Sequence, residues 1–325
     1  MIFQAVRYEV SVPTAAGSLG ADLVLPPGPG PHPAAVLVGG PCGPRDRGQW
    51  VEALALSGLA TLTWDTSAVH RSWDRSWDRS WGPPSWLAPD ERALQVAAAV
   101  DALRTVPQVA PDRVVVVGSD TGAWAAALAA SLCSGVAALV MVAPPCTGAW
   151  TQELGRLAQR LRGLGFIEAE VGLAQLVLRE RIRRLAAGEP PGGVLAAEAP
   201  CRHAPWYGLL PGTTAPELAA FATLGDYDPA MLLAPVRCPV LSVFGEDDPV
   251  TQPWPNVAHL RQRVAPPPPG RERAVAVLPR TDDAFATVTA PGWPRPPGDW
   301  HPDVVHAVTA WLAPRLGGRP AWTAA

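Results

Sequence analysis

The sequence contains no lysine: all 26 basic residues are arginine. With 39 prolines and 30 glycines, that bias is what GC-rich coding produces. Abundance of arginine therefore gives no argument for an anion-binding surface. The net charge is -3 and no basic stripe stands out, which argues against nucleic acid as a partner. Cysteine is sparse, five residues in odd number, scattered singly with no C-x-x-C pair. A disulfide framework is not expected, and a reducing compartment, the cytoplasm, is. The first ten residues, MIFQAVRYEV, lack the charged-then-apolar pattern of a secretory signal. No apolar run approaches the roughly 18 residues of a membrane span, so no membrane partner is expected. What is present is apolar content, 48% of 325 residues. That suffices for one large α/β domain with an insertion, or two small domains.

The most informative stretch is RVVVVGSDTGAW, from Arg113 to Trp124. Consecutive valines, β-branched throughout, read as a parallel strand buried on both faces. Gly118-Ser119-Asp120-Thr121-Gly122 reads as a tight turn, and an Ala-rich run after it as a helix. Strand, G-x-residue-x-G, helix is the layout of a nucleophile elbow. The glycines serve a sharp turn with strand and helix packed close around it. A serine is usual at the tip; here the tip is Asp120.

Around this element the chain alternates. Val6 to Pro26 reads as an antiparallel hairpin turning at residues 14–17. Strands are expected at 34–38, 60–64, 136–142, 239–244 and 274–278. Helices are expected at 46–57, 90–104 (with Asp90 as N-cap), 257–263 and from Pro302 onward. Between 71 and 82 stands a tandem RSWD, RSWD, RSWG. Its period of four excludes a propeller repeat, which needs about 40 residues. It reads either as a duplicated solvated loop or as an aromatic lip over a pocket. From Cys146 the strand–helix alternation stops. Helices at 152–164 and 169–187 are followed by Gly/Pro/Ala-rich chain around Trp206 and Tyr207. The expected organisation is a mostly parallel sheet with helices on both faces, residues 1–146 and 235–325, carrying a helical cap over 147–234.

In this order the chain resembles the α/β-hydrolase superfamily, nearest in flavour to dienelactone-hydrolase and acyl-esterase relatives with a helical cap. The motifs that carry the resemblance are VLVGGPCGPRDR, ATLTWDTSAVHRS, APDRVVVVGSDTGAW, PVLSVFGEDDPV and AVLPRTDDAF. The resemblance implies a triad of nucleophile, acid and histidine in that chain order. Those positions fall on Asp120, Asp248 and Asp283, so two of the three depart from the pattern. It also implies an oxyanion hole from the backbone N–H of Thr121 and from the loop holding Gly40. Pro41 in that loop has no N–H, which leaves Cys42 as the second donor.

An Asp-Asp-Asp set admits several chemistries. Serine hydrolysis lacks its serine at the tip. An aspartate nucleophile, as in the epoxide hydrolases and haloalkane dehalogenases of this fold, needs a histidine to activate water; His70 or His301 would have to supply it. Crowded carboxylates can instead act as acid and base, one ionised and a neighbour protonated. That suits proton abstraction beside a carbonyl, followed by C–C bond formation or cyclisation. A Mg²⁺ or Ca²⁺ site lacks the alternating D-x-D spacing. A hydrolase fold retained as a catalytically dead ligand-binding protein is the remaining reading. No metal and no cofactor are expected, since the elbow glycines do not form G-x-G-x-x-G. Fourteen tryptophans, many on expected loops or in the cap, favour a large, flat, apolar substrate. The expected binding residues are Gly40, His70, Trp81, Trp150, Trp206, Tyr207, Phe285 and His301. The resemblance extends to members recruited for bond-forming tailoring of polyketides and enediynes, so a polycyclic aromatic natural product is the expected substrate. Whether the protein forms a homodimer stays open.

Overall fold

The structure is a computed structural model that describes residues 5–15, 17–39, 44–64, 89–225, 228–264, 266, 271–282, 285–288 and 301–317. Eight strands form a single sheet. The hairpin β1 (Val6–Thr14) and β2 (Gly17–Leu25) pairs antiparallel, Val6 opposite Leu25 and Thr14 opposite Gly17. β2 then lies antiparallel on β4 (Ala60–Trp64). From there the sheet is parallel. β3 (His32–Val38) follows β4, then β5 (Val109–Ser119), β6 (Ala138–Val142), β7 (Val240–Gly245) and β8 (Arg273–Leu278). The central valines explain this placement. Val114, Val115, Val116 and Val117 alternate between the two faces, and all are buried.

Helices cover both faces. Even-numbered Val114 and Val116 join the apolar cluster that includes α2 (Pro89–Arg104) and α3 (Gly122–Leu132). Val115 and Val117 join the cluster on the other face, with α1 (Pro44–Leu56) and α9 (Pro302–Leu312). α2 begins at Pro89, so Asp90 lies inside its first turn rather than capping it. α8 (Pro253–Arg263) starts four residues earlier than periodicity predicts, because Pro253 and Pro255 suit a first helical turn.

Between β6 and β7 the described chain is helical or irregular. α4 (Ala149–Gly163), α5 (Glu168–Ala186), α6 (Pro191–Ala197) and α7 (Ala215–Ala222) bury a third apolar cluster. The Gly/Pro/Ala-rich stretch thus contains two helices where sequence reading expects irregular chain. α7 carries a capping box. The Thr214 hydroxyl accepts from Glu217 N–H (3.4 Å), while the Glu217 carboxylate accepts from Thr214 N–H (3.1 Å). One core side chain crosses between the layers. Trp124 on α3 packs into the helical cluster and donates to the Pro145 carbonyl at 2.9 Å. Asn256 on α8 pins the same exit, its Oδ1 accepting from Cys146 N–H (2.6 Å) and Thr147 N–H (3.0 Å). Among the described residues, no helix is long and apolar enough to cross a membrane.

Candidate active site

The turn after β5 is an elbow built by close packing. A Cβ on Gly118 would sit 2.7 Å from the Ala123 backbone, and one on Gly122 would sit 2.5 Å from the Val38 carbonyl. Only glycine fits either place. Asp120, between them, holds φ +51°, the left-handed region that asparagine and aspartate enter most readily among non-glycine residues. Its N–H donates to the Val142 carbonyl (2.9 Å), and its own carbonyl accepts from Ala123 N–H (3.0 Å). The elbow is thereby fastened to β6 on one side and to α3 on the other. Thr121 is buried at the start of α3. The Gly122 contact puts the end of β3 against the same helix start, and the buried Arg92 guanidinium holds the Gly39 carbonyl there.

The neighbouring loops are tied together at the same edge of the sheet, the carboxyl ends of parallel strands, where such sheets carry their sites. Asp248 follows β7 and is buried. Its Oδ1 accepts from Val250 N–H (2.8 Å) and Thr251 N–H (2.6 Å), which fixes its own loop. Asp247 N–H donates to the Thr281 carbonyl (2.9 Å) and so joins this loop to the one after β8. In that second loop, Asp282 Oδ1 accepts from Ala286 N–H (2.9 Å). Phe285 is buried at φ +56°. The Phe285 carbonyl accepts from His301 N–H (2.8 Å). His301 is buried and caps α9, its Nδ1 accepting from Asp303 N–H at 3.3 Å.

α4 bridges the elbow and the β7 loop. Arg156 Nη2 donates to Asp120 at 3.4 Å (Oδ1) and 3.3 Å (Oδ2). Arg156 Nε lies 3.2 Å from Glu153 Oε1, one turn back on the same helix. Gln152 donates to the Thr251 hydroxyl (2.8 Å), next to the backbone N–H that binds Asp248. Gln159 donates to the Pro249 carbonyl (3.3 Å). Positions 152, 156 and 159 share one helix face. Asp120 and the loop that holds Asp248 therefore lie under a single helix, which touches Asp120 through Arg156 and the loop through Gln152, positions about 6 Å apart along its axis. The Asp120 and Arg156 side chains retain 20% and 18% of their exposure, so solvent reaches the pair.

The expected residues separate into groups. Asp120, Thr121 and Asp248 stand at this edge, with Phe285 and His301 on the β8 side of it. Asp283, Cys42, Gly40, His70 and Trp81 lie outside the described residues, as does the RSWD tandem. Trp206 and Tyr207 are buried in the helical cluster. The Tyr207 hydroxyl donates to Glu198 (2.8 Å), which also forms a two-pronged pair with the fully buried Arg181 (2.9 and 2.6 Å). Burial, then the bond to Glu198, push the Tyr207 hydroxyl above its ordinary pKa. Trp150 donates to the Phe221 carbonyl (3.2 Å) and packs against the Phe221 ring. Sequence reading missed Arg156 and Glu153. The uniform arginine composition hid the first, and the second carries no motif.

No protein-family model and no curated protein matches the chain. Solved structures resemble it in fold. "DcsB complex with its substrate analogue" is 21% identical, with 98% of this chain and 100% of that one covered, at TM-score 0.55. Est1E from Butyrivibrio proteoclasticus is 15% identical over 95% and 99%, TM-score 0.56. Dienelactone hydrolase from Anabaena variabilis is 16% identical over 95% and 95%, TM-score 0.51. At such identities the likeness concerns architecture, and the chain has the α/β-hydrolase fold.

Proposed function

We propose that this protein is an enzyme that uses the elbow carboxylate of Asp120 for acid/base chemistry without a covalent intermediate. The observation that carries this reading is the tip of the elbow. A carboxylate occupies the position that the turn presents to a substrate, in a backbone conformation that costs about 1–3 kcal/mol for most residues. Such conformations gather at functional sites, and the glycines two residues to either side let strand and helix close tightly around it. A carboxylate so placed accepts a proton from a carbon next to a carbonyl. Thr121, at the start of α3, belongs to the helix end whose backbone N–H groups favour a developing oxyanion. C–C bond formation or cyclisation would complete the reaction.

The substrate class follows from the tryptophan-rich sequence and is a bulky aromatic natural product, of the polyketide or enediyne type. The loop tryptophans carry that part, since Trp150 and Tyr207 spend their polar atoms inside the helical cluster and Trp206 is buried there. We read residues 147–234 as the cap over this site, because α4 reaches both the elbow and the β7 loop.

A second reading keeps Asp120 as a nucleophile in an epoxide-hydrolase-like or dehalogenase-like reaction. The elbow geometry favours it equally, and similar structures include a hydrolase and an esterase domain. Isotope labelling separates the two. After turnover in H₂¹⁸O, a nucleophilic Asp120 carries ¹⁸O in its carboxylate, read by peptide mass spectrometry. The acid/base reading expects an unlabelled Asp120 and silence towards p-nitrophenyl esters. Label on Asp120 would return the protein to the hydrolases.

A further inference from the structure

We infer that Arg156 is the anion-binding residue of this cleft, and that it holds the enolate oxygen of the substrate once Asp120 has taken the proton. The inference rests on the acid/base reading of Asp120 and adds the residue that receives the displaced charge.

Its first ground is the looseness of the pair. Charge-assisted N–H···O⁻ bonds settle near 2.7–2.9 Å. Two two-pronged guanidinium–carboxylate pairs of this chain do so, Arg162–Glu168 at 2.7 and 2.9 Å and Arg181–Glu198 at 2.9 and 2.6 Å, whereas the single-pronged Arg104–Asp101 pair stands at 3.3 Å. Arg156 meets Asp120 at 3.3 and 3.4 Å, through one nitrogen, in a place solvent reaches. The second ground is orientation. Glu153 faces the Nε side, and the helix bearing both residues is fastened at Gln152 and Gln159, so the guanidinium is aimed at the elbow tip. The third ground is charge. Asp120, Glu153 and Arg156 sum formally to one negative charge. In the proposed step a substrate C–H bond breaks and an O–H bond forms on Asp120. The electron pair moves to the carbonyl oxygen as an enolate. Asp120 becomes neutral, the substrate negative, and the total is unchanged. The same guanidinium that faces the base before the transfer faces the enolate after it. The ligand class is therefore a carbonyl compound with an acidic neighbouring C–H. A stable anion should bind poorly while Asp120 is charged and well once it is not.

The test uses 2-naphthoate as an enolate mimic and 2-naphthamide as its neutral counterpart, with binding to the full chain read by calorimetry. Asp120→Asn should tighten naphthoate by about tenfold or more, because one like charge is removed beside the cation. In the Asp120→Asn background, Arg156→Gln should abolish that gain, and Arg156→Lys should keep part of it. Naphthamide should distinguish none of the variants by more than about twofold. Equal naphthoate affinity for wild type and Asp120→Asn would overturn the inference, as would a gain that survives Arg156→Gln. If Arg156→Gln fails to fold, an undiminished gain in Arg156→Lys combined with equal gain for naphthamide overturns it. Naphthoate behaving as expected, with no carbon-acid activity in the wild type, would sink the base reading and leave the anion site standing.

Discussion

Asp120 carries two separable burdens, a backbone conformation and a charge. Asparagine tolerates φ +51° as well as aspartate does, whereas alanine does not. Asp120→Asn should therefore keep the fold and lose activity by about 10²–10⁴-fold, the usual worth of a general base. Asp120→Ala should lose about 1 kcal/mol of stability beyond that of Asp120→Asn, measured by urea unfolding. Legibility at this scale was uneven. Asp120 could be found because glycine spacing marks the elbow. Asp248 could be found because it stands three residues beyond the glycine that ends a buried strand. Arg156 could not: in a chain whose cations are all arginine, no single arginine stands out. His301 was visible as a loop histidine before a proline, but its job as the cap of α9 depends on a side-chain angle that no sequence pattern records.

The elements follow from patterns more faithfully than the side chains do. The parallel strands emerged from β-branched runs, and the hairpin from alternation. The helices of the inserted segment were harder, since glycine and proline dilute their periodicity. Thr214 and Glu217 were a usable signal there, because hydroxyl and carboxylate three apart mark a helix start. Two elements make strong claims on stability. Gly122→Ala would drive a methyl group to 2.5 Å from the Val38 carbonyl, with backbone on both sides unable to yield. A loss of about 1–3 kcal/mol is expected, with β3 and α3 pushed apart at the elbow. In the helical segment, Glu198→Ala would leave the Arg181 charge buried without its counter-charge, held only by the Pro211 and Gly212 carbonyls, and a loss of about 3–5 kcal/mol is expected. Thermal unfolding reads both, and the second should melt the helical segment before the sheet.

At the scale of the molecule, the helical segment rejoins the sheet at Asp228. Its carboxylate accepts from Arg263 Nε (2.9 Å) and pairs with His259 Nε2 (3.2 Å) on α8, and it caps Ala230 N–H (3.0 Å). Burial opposes the charge, but the bonds from Arg263, His259 and Ala230 outweigh it and hold the carboxyl below its ordinary value of 3.8. A depressed folded pKa gives stability that is present above the unfolded value and lost as pH falls through the folded one. The stability gap between wild type and Asp228→Asn should therefore be constant near neutrality and shrink below about pH 4, as urea unfolding across pH would show. The sheet architecture was legible, because its strands and flanking helices announce themselves locally and connection rules leave few ways to arrange them; α6 and α7 were not. The candidate site was legible only at the elbow, because the helix that brings Arg156 to Asp120 comes from a segment with no motif of its own.

The central claim is that Asp120 moves a proton from carbon. Exchange of the α-hydrogens of 2-tetralone in D₂O, followed by proton NMR, tests it directly. The account predicts exchange at least about 10²-fold faster with wild type than with Asp120→Asn, both folded. Equal rates for the two proteins would contradict it.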